Sequence, residues 1–579
     1  MTLSRLPLVV QSDLTLLLEV DNPLFEEARD ALVGFAELVK SPEHIHTYRL
    51  SNLSIWNAVA SGLTAGTILQ RLAQYSQYAV PPEVETFIAD QGRRYGRLVL
   101  QVAPDGDGLW LTGNDSTLLT LIASHKTVAP YLGPMLAPGF RIAPEMRGLL
   151  KQALTKIGWP VADQAGFRAG VHLPIALRAT TRCGRPFSLR DYQAQAVRAF
   201  WGDGQSLHGH GIVVLPCGAG KTVVGLGAME RTQAHTLILT TSLAALHQWR
   251  DEILDKTHLN QDDIAEYSAQ KKEIGPITLT TYQLLSHRTR GQFSHFSALD
   301  AHDWGLIIYD EVHLLPAPVF RLTASLQARR RLGLTATLIR EDGRADEVFA
   351  LIGPKRFDMA WKQLEAEGWI ASAACHEIRV SLERAHRERY AAADDPERIR
   401  IASENPAKLS IVETLVAEHA EDHVLVIGQY LGQLEQLSQR LQAPLITGKT
   451  PPKERERLYK AFREGEIRVL VVSKVANFAI DLPDANVAIQ VSGTFGSRQE
   501  EAQRLGRILR PKAEGKRATF YTLVSGETRE QDFSQKRQLF LCEQGYRYDV
   551  AHADANGQPL EQSMPRVIPF PRVASEDHV

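Results

Sequence analysis

Residues 215–222 read Leu215-Pro216-Cys217-Gly218-Ala219-Gly220-Lys221-Thr222, a glycine-containing loop that ends in lysine and threonine. It follows an apolar run and precedes a helical run over 223–231, the context a phosphate loop requires. Gly218 and Gly220 let the backbone N–H groups of 217–220, Cys217 and Ala219 included, close around phosphates, and the helix N-terminus adds positive potential. Lys221 would reach the β- and γ-phosphates, and the Thr222 hydroxyl would ligate Mg²⁺. Leu215 stands where the strict pattern has glycine.

A second chemical pair, Asp310-Glu311, comes directly after the apolar run 305–309. A buried strand that ends in two carboxylates offers them at the edge where open α/β sheets bind ligands. Asp310 would hold Mg²⁺, and Glu311 would orient and deprotonate an attacking water. The cluster Leu189-Arg190-Asp191-Tyr192-Gln193 lies upstream. Tyr192 can stack on adenine and Gln193 can donate to and accept from its edge; a helix start with Asp191 near its cap accounts for the same residues. Far downstream, Arg507 and Arg510 are spaced i, i+3 on one helix face, with Gln503 one turn earlier. They can serve as arginine fingers on a γ-phosphate, or as a plain basic face.

The elements around these residues alternate apolar strands with amphipathic helices from about residue 188, which predicts parallel α/β sheets. Strands are expected at 211–215, 236–239, 277–280, 305–309 and 332–334. A second series is expected at 424–427, 444–446, 469–472, 487–491 and 519–523. Two series imply two similar lobes, 186–375 and 376–548. The charge-rich interval 382–408 reads as a helical hairpin or a plain connection. Residues 1–185 form a separate α+β region, with room for two subdomains. It has a strand at 13–20, a helix at 23–39 capped by Asn22, a helix at 51–61 carrying Trp56, and paired strands at 95–102 and 108–112. Residues 549–579 read as a flexible, proline-containing tail.

The chain has 579 residues, 44% hydrophobic and 23% charged, with a formal net charge of -2. No global basic bias exists, so any nucleic-acid surface must be local. The four cysteines, Cys183, Cys217, Cys375 and Cys542, are far apart and form no C-x-x-C pair. That argues against zinc or closely ligated iron–sulfur sites and fits a reducing compartment. No signal peptide or long apolar stretch is visible, and a prokaryotic cytoplasm is expected.

The motifs together resemble those of superfamily 2 helicases, and specifically the XPB-type DNA repair helicases. Thr335-Ala336-Thr337 is followed by Arg340-Glu341-Asp342, like that family's R-E-D element. Ile352-Gly353-Pro354-Lys355, Ser473-Lys474-Val475, Asp481-Leu482-Pro483, the run 497–503 and Lys536-Arg537-Gln538 are similar too. Leu215 also agrees with it, and His44-Ile45-His46-Thr47-Tyr48 and Tyr95-Gly96-Arg97-Leu98 resemble its N-terminal region.

The resemblance implies two tandem RecA-like lobes and an ATP-dependent DNA helicase or translocase moving 3′ to 5′ in nucleotide excision repair. It further implies nucleotide contact at Asp481, unwinding by the R-E-D element and a damage-sensing N-terminal region. ATP and Mg²⁺ would be the cofactors, DNA junctions the partner, and a nuclease a further partner, at the nucleoid. Relatives carry a thumb-like insertion in the second lobe, for which 382–408 is short.

DNA contacts are expected where strands end, at Thr240-Thr241-Ser242, Thr280-Thr281-Tyr282-Gln283, Thr447-Gly448 and Ser473-Lys474, through hydroxyls, N–H groups and a lysine that read no sequence. Arg340, a cation beside two carboxylates, is expected to wedge or couple strand separation. Two rival readings are an RNA-directed motor of the same fold and an ATP-gated clamp that recruits a nuclease.

Overall fold

Among the described residues, four sheets organise the chain. In this computed structural model the described residues are 6–560, apart from 42–43, 106–107, 114, 137–138, 144–145, 166–169, 203–208, 217, 288–293, 315–327, 329, 337–344, 360, 474–484, 494–517 and 545. They divide into two compact units, Met1–Trp361 and Lys362–Val579.

The first unit begins with an antiparallel sheet of β1 (Leu8–Val10), β2 (Thr15–Glu19), β3 (Glu37–Lys40) and β4 (Ile45–Arg49), in the order β1-β2-β4-β3. The helix expected at 23–39 is shorter, Phe25–Val33, and the end of that stretch belongs to β3. Asn22 makes a turn instead of a cap, its Oδ1 accepting from Leu24 N–H at 3.0 Å, and Gly34 ends the helix. The helix at Asn52–Ala60 forms as expected, capped by Ser51. A second sheet holds β5 (Leu98–Val102), β6 (Leu109–Gly113), β7 (Met135–Leu136), β8 (Gly139–Ile142) and β9 (Val161–Asp163), ordered β7-β8-β6-β5-β9. Leu98, Leu100, Leu109 and Leu111 alternate onto its buried face, where the period of two places them.

The same unit contains a seven-stranded sheet in which every pairing is parallel. Its strands are β10 (His210–Val214), β11 (Thr236–Thr240), β12 (Ile264–Tyr267), β13 (Ile277–Thr281), β14 (Leu306–Asp310), β15 (Arg330–Thr335) and β16 (Lys355–Asp358), in the order β12-β13-β11-β14-β15-β10-β16. Central strands such as Leu306–Asp310 are continuous apolar runs because helices cover both faces. The N-terminal region docks on the β16 edge: Lys355 N–H donates to Asn57 Oδ1 at 3.0 Å, and Arg356 reaches the Ala60 carbonyl at 3.1 Å.

The second unit repeats the sheet strand for strand. β17 (Ala373–Val380), β18 (Val424–Gly428), β19 (Leu445–Ile446), β20 (Val469–Ser473), β21 (Val487–Gln490), β22 (Ala518–Ser525) and β23 (Tyr548–Ala553) lie in the order β19-β20-β18-β21-β22-β17-β23, again all parallel. Two boundaries therefore move. The second lobe starts before residue 376, because β17 belongs to it. The tail starts later than 549, because β23 pairs with β17 and Ala551 and Ala553 are fully buried. The interval 382–408 is a helical pair, Arg384–Ala392 and Asp395–Ser403.

Candidate active site

β10 ends at Val214 and the chain turns through the phosphate loop into the helix Lys221–Thr232. Gly218 and Gly220 have φ of 83° and 79°, left-handed values that glycine adopts freely. Gly220 also touches its neighbour closely: a Cβ there would lie 2.5 Å from Gln193 Nε2. The N-cap residue, Gly220, has no side chain to cap this helix, which leaves its first N–H groups available to an anion.

The loop is braced by two side chains expected to read adenine. Tyr192 donates from its hydroxyl to the Ala219 carbonyl at 2.8 Å, and Gln193 Nε2 donates to the same oxygen at 2.9 Å. Gln193 Oε1 meanwhile accepts from Arg190 N–H at 3.0 Å. Both are core residues, 2% and 3% exposed. The Tyr192 ring is packed in the interior, and the pair holds the loop at the Ala219 carbonyl.

Two strands away in the sheet, β14 delivers the carboxylates. Glu311 has φ 49°, a strained value for a residue with a side chain, and this turn puts its carboxylate on the Lys221 ammonium. Burial pushes the Glu311 carboxyl up, but Lys221 and His313 outweigh it and leave it below its ordinary value. Asp310 goes the other way: burial and then the neighbouring Glu311 charge push it up to about 6, against the pull of Lys221 and Trp249. Its Oδ2 accepts from Trp249 Nε1 at 3.0 Å, and its carbonyl accepts from the Tyr282 hydroxyl at 2.8 Å. A half-buried carboxylate held by a neutral donor is suited to a divalent cation, and the half-buried Thr222 hydroxyl on the phosphate-loop helix would serve as a second ligand.

His313 Nδ1 and Thr335 Oγ1 share a hydrogen bond of 2.6 Å, and Nδ1 lies 3.4 Å from Glu311 Oε2. Leu215 N–H donates to the Thr335 carbonyl at 3.0 Å. Phosphate loop, carboxylates and the 335–336 segment thus form one connected group.

The expected DNA contacts are placed unevenly. Tyr282 is buried and serves the Asp310 main chain, which corrects its reading as a surface contact. Thr281 is also buried, and Thr240 Oγ1 is spent on the Thr280 and Ser242 carbonyls, so these hydroxyls knit strand ends together. Thr241 and Ser242 remain half-buried at the surface. Cys217, Arg340, Glu341, Asp342, Lys474, Asp481, Gln503, Arg507 and Arg510 lie outside the described residues. Sequence reasoning gave no role to Trp249, His313 or Thr335. Only the last two carry a signal, from their place beside the carboxylates and in the resemblance.

Three family models match: "ERCC3/RAD25/XPB C-terminal helicase" over residues 364–566, "Helicase conserved C-terminal domain" over 8–137, and "Type III restriction enzyme, res subunit" over 186–340. The DNA 3'-5' helicase XPB of Kineococcus radiotolerans is 53% identical over 549 residues, covering 95% of this chain and 97% of that one. The protein of the same name from Mycobacterium tuberculosis is 52% identical, covering 95% and 98%. A general transcription and DNA repair factor IIH subunit, XPB/SSL2 of Saccharomyces cerevisiae, is 31% identical, covering 96% of this chain and 73% of its own. Agreement of this depth, over nearly the whole of both bacterial relatives, makes this chain a member of the XPB family of helicases.

Proposed function

We propose that this protein is an ATP-dependent DNA helicase or translocase that moves 3′ to 5′ and opens duplex DNA during repair. The observation that carries the reading is the Lys221–Glu311 ion pair, with Asp310 alongside, at the carboxyl ends of parallel strands in an XPB-family chain. A triphosphate entering the loop competes for the Lys221 ammonium and releases Glu311. That carboxylate, the charged partner of Lys221 before nucleotide enters, is then free to take a proton from the attacking water. Thr222 and Asp310 would hold Mg²⁺, which when bound neutralises charge on the transferring phosphoryl group. Tyr192 and Gln193 keep the loop in its binding shape through Ala219.

By resemblance to the family, Arg507, Arg510, Gln503 and Asp481 are assigned to nucleotide contact. Arg340, Glu341 and Asp342 act in strand separation, and Lys474 contacts DNA phosphate. Among the described residues no helix is long and apolar enough to cross a membrane. The protein works at the bacterial nucleoid in the cytoplasm, with a nuclease as partner. The names of the bacterial relatives, both DNA 3'-5' helicases, support the direction and the substrate.

The test is ATP hydrolysis measured without nucleic acid and with single-stranded DNA, duplex DNA, bubble DNA and RNA at matched low salt, followed by unwinding from 3′- and 5′-tailed duplexes. Strong stimulation by DNA, little by RNA, and opening only from a 3′ tail are expected. Equal stimulation by RNA, or no opening from either tail, would overturn the reading.

A further inference from the structure

Trp249 is used by nothing in the mechanism above, yet it is 1% exposed and its indole N–H is directed at the Asp310 carboxylate, 3.0 Å from Oδ2. Its ring lies in a slot made for it: a Cβ on Gly225, one turn into the phosphate-loop helix, would stand 2.4 Å from Trp249 Cη2 and 3.0 Å from Cζ3. The helix that carries Trp249, Leu243–Lys256, is capped by Ser242 just after β11 and opens on exposed Leu243. From that start to Trp249 is roughly 9 Å of rigid helix at 1.5 Å per residue. Asp310 is held a second time, because Tyr282, which follows β13, fixes its carbonyl. Both grips on Asp310 thus come from segments that leave the ends of β11 and β13.

We propose that Trp249 is a positioning residue that fixes the metal-binding carboxylate of Asp310 and transmits to it the position of the helix start at Thr241 and Ser242, the half-buried strand-end residues expected to meet DNA backbone. The inference rests on the reading of Asp310 as a Mg²⁺ ligand. Movement of the Leu243–Lys256 helix on DNA engagement shifts the indole along its slot, and the carboxylate with it. The slot beside Gly225 ties the same movement to the helix that binds phosphate.

Trp249→Phe keeps an aromatic ring and removes the donor. Mn²⁺ is the probe, its binding read by electron paramagnetic resonance with a non-hydrolysable ATP analogue on the full chain, beside DNA-stimulated and unstimulated ATP turnover. Losing a hydrogen bond to a charged group predicts roughly tenfold weaker Mn²⁺ binding, with metal-free nucleotide affinity unchanged. The ratio of DNA-stimulated to unstimulated turnover should fall several-fold. Gly225→Ala, which keeps the indole N–H but displaces the ring and so carries the donor away from Asp310, should reproduce both effects. Asp310→Asn separates the two readings: if it leaves Mn²⁺ affinity intact, Asp310 is not the ligand and both fall. If Asp310→Asn abolishes Mn²⁺ binding while Trp249→Phe and Gly225→Ala match the wild type in metal affinity or in DNA stimulation, the Trp249 inference alone is overturned.

Discussion

Glu311 occupies a left-handed backbone position that costs about 1–3 kcal/mol for a residue with a side chain, and the ion pair with Lys221 offsets part of that strain. Glu311→Gln should still bind ATP but turn it over at least ~100-fold more slowly, the usual scale of a lost general base; steady-state hydrolysis beside nucleotide titration checks this. Tyr192→Phe removes one of two donors to Ala219 and should raise KM for ATP a few-fold with little change in kcat, since a single hydrogen bond is worth about 0.5–1.5 kcal/mol. That Lys221 and Thr222 open a helix and Asp310 and Glu311 stand at the end of a strand was legible because their spacing to strand and helix is local. The bond of Tyr192 to Ala219 was not legible, because a tyrosine beside a glutamine carries no mark of which atom it serves. Trp249 was invisible: with Leu246 and Ile253 it occupies an ordinary inward position of its helix, and its partner is 61 residues away.

At the scale of elements, two buried charge clusters, Lys408 with Glu530 and Asp163 with Arg147 and Lys151, hold helices to their neighbours. Lys408, fully buried, donates to both Glu530 oxygens at 2.9 and 2.7 Å and joins the helix Ala407–Glu418 to Arg529–Glu543. Lys408→Met strands the Glu530 charge and should destabilise the second unit by about 3–5 kcal/mol in chemical denaturation. In the N-terminal region Asp163, on β9, accepts from Arg147 at 2.8 Å and Lys151 at 2.8 Å. Burial raises its carboxyl, but the two cations prevail and hold it far below the usual carboxylate range. A depressed pKa contributes stability that is whole above the unfolded carboxylate value and is lost as acid approaches the folded one. Wild type should therefore exceed Asp163→Asn in stability at neutral pH, with the gap narrowing below about pH 4 in denaturation series. Most central strands of the two parallel sheets were legible as apolar runs, whereas Ile264–Tyr267, Ala373–Val380, Lys355–Asp358 and Tyr548–Ala553 were not. Ala373–Val380 lies inside its sheet but interrupts its apolar residues with His376, Glu377 and Arg379. Lys355–Asp358 and Tyr548–Ala553, as edge strands, carry charge or polar alternation that reads as loop.

At the scale of the whole molecule, the division into two compact units predicts thermal unfolding in two steps instead of one, read by calorimetry. The repeated strand order has a further consequence, in time. Among the described residues β17 pairs with β22 and β23 alone, and β22 begins at Ala518. During synthesis at roughly 5–20 residues per second, β17 therefore waits about 7–28 s for its first neighbour. Throughout that interval Ala373, Cys375, Ile378 and Val380, all buried in the finished sheet, are open to other chains. The first lobe faces the same delay, since β10 pairs with β15 and β16, both far downstream. A ribosome making this protein thus holds an unclosed sheet twice, and holdase chaperones that bind extended apolar chain are the natural guardians of both intervals.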